Sequence, residues 1–330
     1  MRIFKPDYYD NFQCIASACP DSCCKEWDVQ VDETAAAHYR ALPGTLGDRL
    51  REVLHEEDGE TLMTIIDGRC PMWRADGLCR IQAELGHEAL CKTCREFPRL
   101  THDYGSFQEW GLELSCPEAA RIILNNPTPL HVCIDIPGGG EPEYDEEAME
   151  VLLRTRNTVR TILAEHRPIG QILALVLMYG YQAQSELDGT PAVSFNSDAA
   201  LAEARQFAGE ADTQAILDFF KELEILTSQW PALLDSPAPS DWRVEHLTLA
   251  RYFIDRYWLQ AVSDYDLVCR VKLAIISCLV IKLVGHNLAE TAQLYSKEIE
   301  NDADNIDAIL DGAYESPAFT DAGLLALLLQ

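Results

Sequence analysis

The stretch FQCIASACPDSCCKEW, Phe12 to Trp27, is the part of the chain from which the rest can be read. It sets Cys14, Cys19, Cys23 and the adjacent Cys24 within eleven residues, a density that packing alone does not call for. Cys70, Cys79, Cys91, Cys94 and Cys116 follow, so nine of the twelve cysteines lie in roughly the first third of 330 residues. The amino terminus, MRIFKPDYYDNF, lacks the basic, apolar, small-residue succession of a secretory signal. A cytoplasmic, reducing compartment is therefore expected, and metal thiolates explain these sulfurs better than disulfides. The isolated Cys133, Cys269 and Cys278 are expected to be small core hydrophobes.

Spacing narrows the metal without deciding it. Structural zinc takes four tetrahedral ligands, usually from paired Cys-x-x-Cys knuckles, and only Cys91-Lys-Thr-Cys94 has that spacing. Iron-sulfur clusters accept thiolates from irregular, separated loops. Neither the ferredoxin run Cys-x2-Cys-x2-Cys nor the Cys-x3-Cys-x2-Cys of radical S-adenosylmethionine enzymes is present, and the nearest pattern is Cys19-x3-Cys23-Cys24. Adjacent Cys23 and Cys24 do not easily put both sulfurs on one small ion, so they serve two centres or one of them does not bind. From spacing, a cluster ranks first, zinc second and apolar packing third.

Outward from the thiols, Trp27 to Asp32 and Thr61 to Asp67 have strand character, with helices expected at Glu33–Leu42 and at about Leu46–Glu57, the latter ended by Asp58-Gly59. Leu78–Leu85 and His87–Phe97 suggest two short helices divided at Gly86, the second carrying Cys91 and Cys94 on one face. Ser106–Ser115 suggests a strand, and Cys116-Pro117 opens a helix to Leu124 with proline at its favoured first position. Pro137-Gly-Gly-Gly-Glu-Pro142 reads as a linker; no Lys-Ser/Thr follows the glycines, so a phosphate loop is disfavoured. Beyond it helical periodicity prevails, at about Asp145–Glu165, Ile169–Leu187, Asp198–Gly209, Thr213–Ser228, Trp242–Ser263 and Asp266–Val284. The expected fold is mainly α: a Cys-rich α+β module over residues 1–136, then an α-helical bundle over 143–330.

The charge of −28 disfavours sequence-independent nucleic-acid binding and favours lysine-bearing protein partners. The apolar run Leu273–Ile281, LAIISCLVI, is too short to cross a bilayer, as is the closing GLLALLLQ, which is expected to dock on a core or partner.

Three blocks carry a family likeness. FQCIASACPDSCCKEWDVQVD (Phe12 to Asp32), CPMWRADGLCRIQAELGHEALCKTCREFPR (Cys70 to Arg99) and LSCPEAARIIL (Leu114 to Leu124) closely resemble the flagellin lysine-N-methylase family, in the order and spacing found there. That family shares its Cys-rich pattern with a wider group of zinc- or iron-chelating proteins. The resemblance implies a methyltransferase that moves a methyl group from S-adenosylmethionine to lysine ε-amines of flagellin or another lysine-bearing protein, with a 4Fe-4S cluster on the Cys-rich motif. It carries the metal role onto Cys14, Cys19, Cys23, Cys24, Cys70, Cys79, Cys91, Cys94 and Cys116 without saying which four bind.

Such chemistry must take a proton from a lysine ammonium and hold a sulfonium, tasks suited to carboxylates, tyrosines and aromatic faces. Trp27, Asp28, Trp73, Glu96, Tyr104, Trp110 and Glu113 are candidates within or beside the blocks, though tryptophans are more often core and acids more often solvated. Arg95 and Arg99 flank Cys94 and are candidates to bind the donor carboxylate or offset a thiolate cluster, against a plain ion pair with Glu96. No Rossmann glycine loop is visible, so donor binding is expected to be unconventional, at an open iron of the cluster. The rival readings are a zinc-stapled scaffold whose acidic helices dock a partner, and an iron-sulfur redox protein.

Overall fold

The computed structural model describes residues 1–25, 29–57, 59–285 and 287–330. Trp27 and Asp28, and the Asp58 half of the Asp58-Gly59 turn, lie outside the described residues. The chain is mainly α-helical, with two small sheets.

Seven strands are described: β1 (Arg2–Pro6), β2 (Val29–Gln30), β3 (Leu54–Glu57), β4 (Glu60–Met63), β5 (Arg99–Asp103), β6 (Phe107–Leu112) and β7 (His131–Asp135). The first sheet has the order β5-β6-β1-β7, with β1 parallel to β6 and antiparallel to β7. The second is the antiparallel β2-β4-β3.

These sheets serve different cores. Around β2-β4-β3, helices Glu33–Ala41 and Gly44–Val53 bury Val29, Ala36, Tyr39, Leu50, Val53 and Met63, together with Met72, Ile81, Cys70 and Cys91. Asp32 caps the first of them by accepting from the Ala35 amide at 3.0 Å. The expected helix to Glu57 stops at Val53, because residues 54–57 turn into β3 and satisfy their backbone against β4. The four-stranded sheet instead shares the large core with the carboxy-terminal helices, through Phe107, Leu112 and the helix Pro117–Leu124. The apolar interior of residues 1–136 is thus divided between two cores.

The centre of the large core is the helix Val268–Val284, buried on all sides by helices Ile169–Leu187, Val244–Tyr257, Leu288–Ile299 and Ala303–Glu315. Lys272, which brackets the apolar run, is itself buried; its ammonium donates to the Ala313 carbonyl and lies 3.3 Å from Asp321. Among the described residues no helix is long and apolar enough to cross a membrane. The closing segment forms the helix Asp321–Leu328, which docks on the core through Leu324, Leu325, Leu327 and Leu328. Gly170 makes that docking possible: a β-carbon there would stand 1.9 Å from the Leu328 carbonyl oxygen.

Helix bounds match the periodicity closely at Ile169–Leu187 and Pro117–Leu124. The expected helix to Ser228 ends at Lys221, after which the backbone amides of Leu226 and Thr227 turn to the buried Glu298 carboxylate. Pro137 to Pro142 has no regular structure, but it is tied to the first sheet: Gly140 donates to the Gly105 carbonyl at 3.0 Å, and the amino group of Met1 donates to the Gly138 carbonyl. Cys269 and Cys278 are core thiols, but Cys133 is exposed, because β7 is the outer strand of its sheet.

Candidate functional site

The thiol loop, residues 13–25, runs between the two cores. Cys24, Cys79 and Cys94 pack against the smaller core, in which Cys70 and Cys91 are buried, and Cys116 packs against the larger. All twelve cysteines carry thiols rather than disulfides. The sulfurs sit where regular structure breaks: Cys79, Cys91 and Cys116 each immediately precede a short helix. The expected helix His87–Phe97 is broken by an extended Leu90, so Cys91 heads the helix Lys92–Glu96 and Cys94 lies within it.

Nine thiols form one electrostatic field, with Cys23 as the common neighbour of Cys19, Cys70, Cys79, Cys94 and Cys116. Cys14 acts on Cys19, and Cys24 acts on Cys23 and Cys94. Burial raises Cys79, pushes Cys70 up to about 11 and pushes Cys116 up to about 12. A hydrogen bond with Cys24 raises Cys23. Cys91 is the exception: the hydrogen bond it shares with Cys94 draws it down to about 7, helped by backbone N–H groups, while Cys94 keeps its proton. Among the described residues, no three His, Cys, Asp or Glu side chains close tightly enough on one point to hold an ion as they stand.

The loop is anchored from the helical side. Asp21 accepts from Lys297 at 3.0 Å and from Gln293 at 3.2 Å, and Gln293 also donates to the Ser115 carbonyl at 2.8 Å. One helix, Leu288–Ile299, thereby ties the loop of Cys19 and Cys23 to the turn before Cys116. Burial by itself would raise the Asp21 carboxyl, but Lys297 overrides it and holds the group below the usual range. Asp21→Asn is expected to lower stability at neutral pH by about 1–3 kcal/mol. Because the folded pKa lies below the unfolded one, that stabilisation is complete above about pH 4 and fades as pH falls through the lowered value. Denaturant unfolding of both proteins across that range should therefore converge at acid pH; a constant gap would sink the assignment.

Arg95 is half-buried and Arg99 exposed. Arg95 reaches toward the Leu90 carbonyl at 3.5 Å. Arg99 lies over the rings of Phe12 (5.1 Å) and Tyr9 (6.0 Å), at the mouth of the thiol loop. Trp73 already has its own cations, Arg69 at 4.5 Å and Lys25 at 5.4 Å from the ring centre. Tyr104 stacks on Phe107 with ring centres 4.9 Å apart, and Glu96 is exposed. Glu113 is better placed: Ser115 donates to it at 3.2 Å, three residues before Cys116, and burial holds its carboxyl above the usual range despite the lowering effect of Arg256. Trp110 faces a separate cavity between the first sheet and the helices, lined also by Arg156, Arg251 and Thr248. Sequence reading missed both this cavity and the anchors Asp21 and Lys297. The signal available was helical spacing, as in Arg156 with Arg160 and Arg251 with Asp255, which does not reveal the facing element.

Comparison with known proteins places these residues in context. The chain is 36% identical over 134 residues to proteins named lysine-N-methylase from Salmonella choleraesuis and Salmonella typhimurium, covering 38% of this chain and 33% of each of them. It is equally similar, 36% over 134 residues, to the flagellar biosynthetic protein FliU of Salmonella muenchen, of which it covers 79%. The matched region thus spans a third of the length of the two methylases and most of FliU. No family model and no solved structure matches the chain.

Proposed function

The chain belongs to the lysine-N-methylase family that includes the FliU-type flagellar protein, and on that premise we propose that it is a protein lysine methyltransferase acting on flagellin. The methyl donor is S-adenosylmethionine, and a 4Fe-4S cluster sits on the Cys-rich segment. The observation that supports this reading best is the convergence of five thiols, Cys19, Cys70, Cys79, Cys94 and Cys116, on Cys23, from segments distant in sequence. Thiolates offered from loops are the donors that clusters accept. Burial raises Cys19, Cys70, Cys79 and Cys116, and a bound cation is what draws protons off such thiols.

The chemistry of the donor set suits such a group, although no three of the described side chains stand close enough to hold an ion as they are. Cys23 and Cys24 would hold it, with partners among Cys14, Cys19, Cys70, Cys79, Cys91, Cys94 and Cys116. When bound, the cluster would supply Lewis-acid chemistry toward the amino and carboxylate groups of the donor. Arg95, in the same short helix as Cys94, offsets the negative charge of the thiolates, and Arg99 positions the start of the thiol loop by lying on Phe12. We assign Glu113 the task of taking the proton from the substrate ammonium, since a carboxyl raised by burial is a better base than a solvated one.

The test is anaerobic purification with iron, sulfide and zinc analysis, followed by incubation with S-adenosylmethionine and flagellin. Brown protein with about four irons per chain that forms methyl-lysine is the expected result. Glu113→Gln should retain iron and lose about a hundredfold or more in turnover, with the acid limb of the pH profile displaced. Colourless protein with stoichiometric zinc and no methyl-lysine would replace the enzyme reading with the zinc-stapled scaffold.

A further inference from the structure

The cavity between the first sheet and the helices has a volume of about 70 Å³, several times what one water needs. Its walls carry four guanidinium groups, Arg156, Arg160, Arg251 and Arg256, against two carboxylates, Glu109 and Asp255. Glu109 is taken by Arg156, at 2.5 and 2.8 Å. Asp255 is taken by Arg160 at 2.7 Å, with Arg251 further off at 3.6 Å. Arg256 turns to Glu300, 3.2 Å away. Glu113 also acts on Arg256, so with Glu300 and Glu113 counted the charges are near balance, and Arg251, whose nearest carboxylate is held more closely by Arg160, is the guanidinium left least satisfied. The two histidines on the wall add no positive charge: burial, with Arg256 nearby, holds His102 down to about 4, and burial lowers His131 as well.

Hydrogen bonding is also incomplete. Nε of Arg156, Nε of Arg251, Nε2 of His102 and Oγ1 of Thr248 are all buried without a partner. Arg156 and Thr248 are each only 3% exposed. A buried donor left unmade is costly, most of all on a guanidinium, unless a ligand completes the set. Apart from Asn126, the remainder of the wall is apolar or aromatic, including Phe4, Tyr8, Trp110 and Leu112.

We infer that this cavity is a binding site for a small organic carboxylate with an apolar or aromatic body, the carboxylate recognised by Arg251 and Thr248 and the body seated against Trp110. The site differs from one for the methyl donor, whose sulfonium and ammonium outweigh its carboxylate and are repelled by an arginine-rich wall. It also differs from a bare phosphate site, because about a third of the lining side chains offer no hydrogen bond.

Calorimetric titration at low salt with benzoate, and with benzamide and benzamidine of the same shape, tests the charge requirement. Benzoate is expected to bind saturably and the other two not at all. Thr248→Val removes a hydroxyl that has no partner in the free protein, so it should fold normally; Arg251→Gln leaves Asp255 its closer partner, Arg160. Each should weaken benzoate by roughly tenfold or more. No benzoate binding by the native protein, equal binding of benzamide, or a folded Thr248→Val protein that binds benzoate as tightly as the native one would overturn the proposal. Preference for inorganic phosphate over benzoate would overturn the carboxylate assignment.

Discussion

Cys23→Ser and Cys24→Ser, each made alone, are expected to strip most of the iron from the anaerobically purified protein and to abolish its colour. Methyl transfer to flagellin should fall by about a hundredfold or more, since even indirect supports of a metal site are worth about 10–100-fold. The reason is positional. Cys23 is the thiol on which five others converge, and Cys24 reaches both Cys23 and Cys94. Serine keeps the size of cysteine but supplies no thiolate, which is the species that binds metal. Cys133→Ser is the matched control, because Cys133 is exposed on the outer strand β7, away from the nine. Its iron content and turnover should equal those of the native protein. Retention of iron and activity in both the Cys23 and Cys24 variants would rule out a centre on this pair.

The second large effect is on stability. Arg156→Met should lower the unfolding free energy by about 3–5 kcal/mol, the cost of leaving a buried charge without its partner. Arg156 and Glu109 have side chains only 4% and 14% exposed, and their two hydrogen bonds, at 2.5 and 2.8 Å, are bidentate. This pair joins the helix Glu146–Leu163 to β6, and so fastens the helical half of the chain to the sheet built from its beginning. The double variant Arg156→Met with Glu109→Leu should recover most of the loss, because both charges then leave together. Urea unfolding at neutral pH reads both values. A single variant within about 1 kcal/mol of the native protein would mean that water reaches Glu109 and that the pair contributes no more than a surface bridge.

What the sequence by itself determined was local. The 3.6-residue periodicity of 169–187 and the proline opening 117–124 placed those helices to the residue, because amphipathic spacing and fixed proline φ act within one turn. The density of thiols marked the segment that bears the candidate centre, and the three family blocks pointed to the relatives later found. Strands β1, β5 and β7 were not anticipated: each is five residues long, and β1 pairs with partners more than a hundred residues away. Their hydrogen bonds are satisfied only after the chain has closed on itself. Tertiary structure alone also decided that the first 136 residues feed two cores, that Lys297 and Gln293 hold the thiol loop through Asp21, and that four arginines meet in one cavity. Periodicity reports which face of an element is apolar; it carries no information about which distant element that face, or a buried charge on it, will meet.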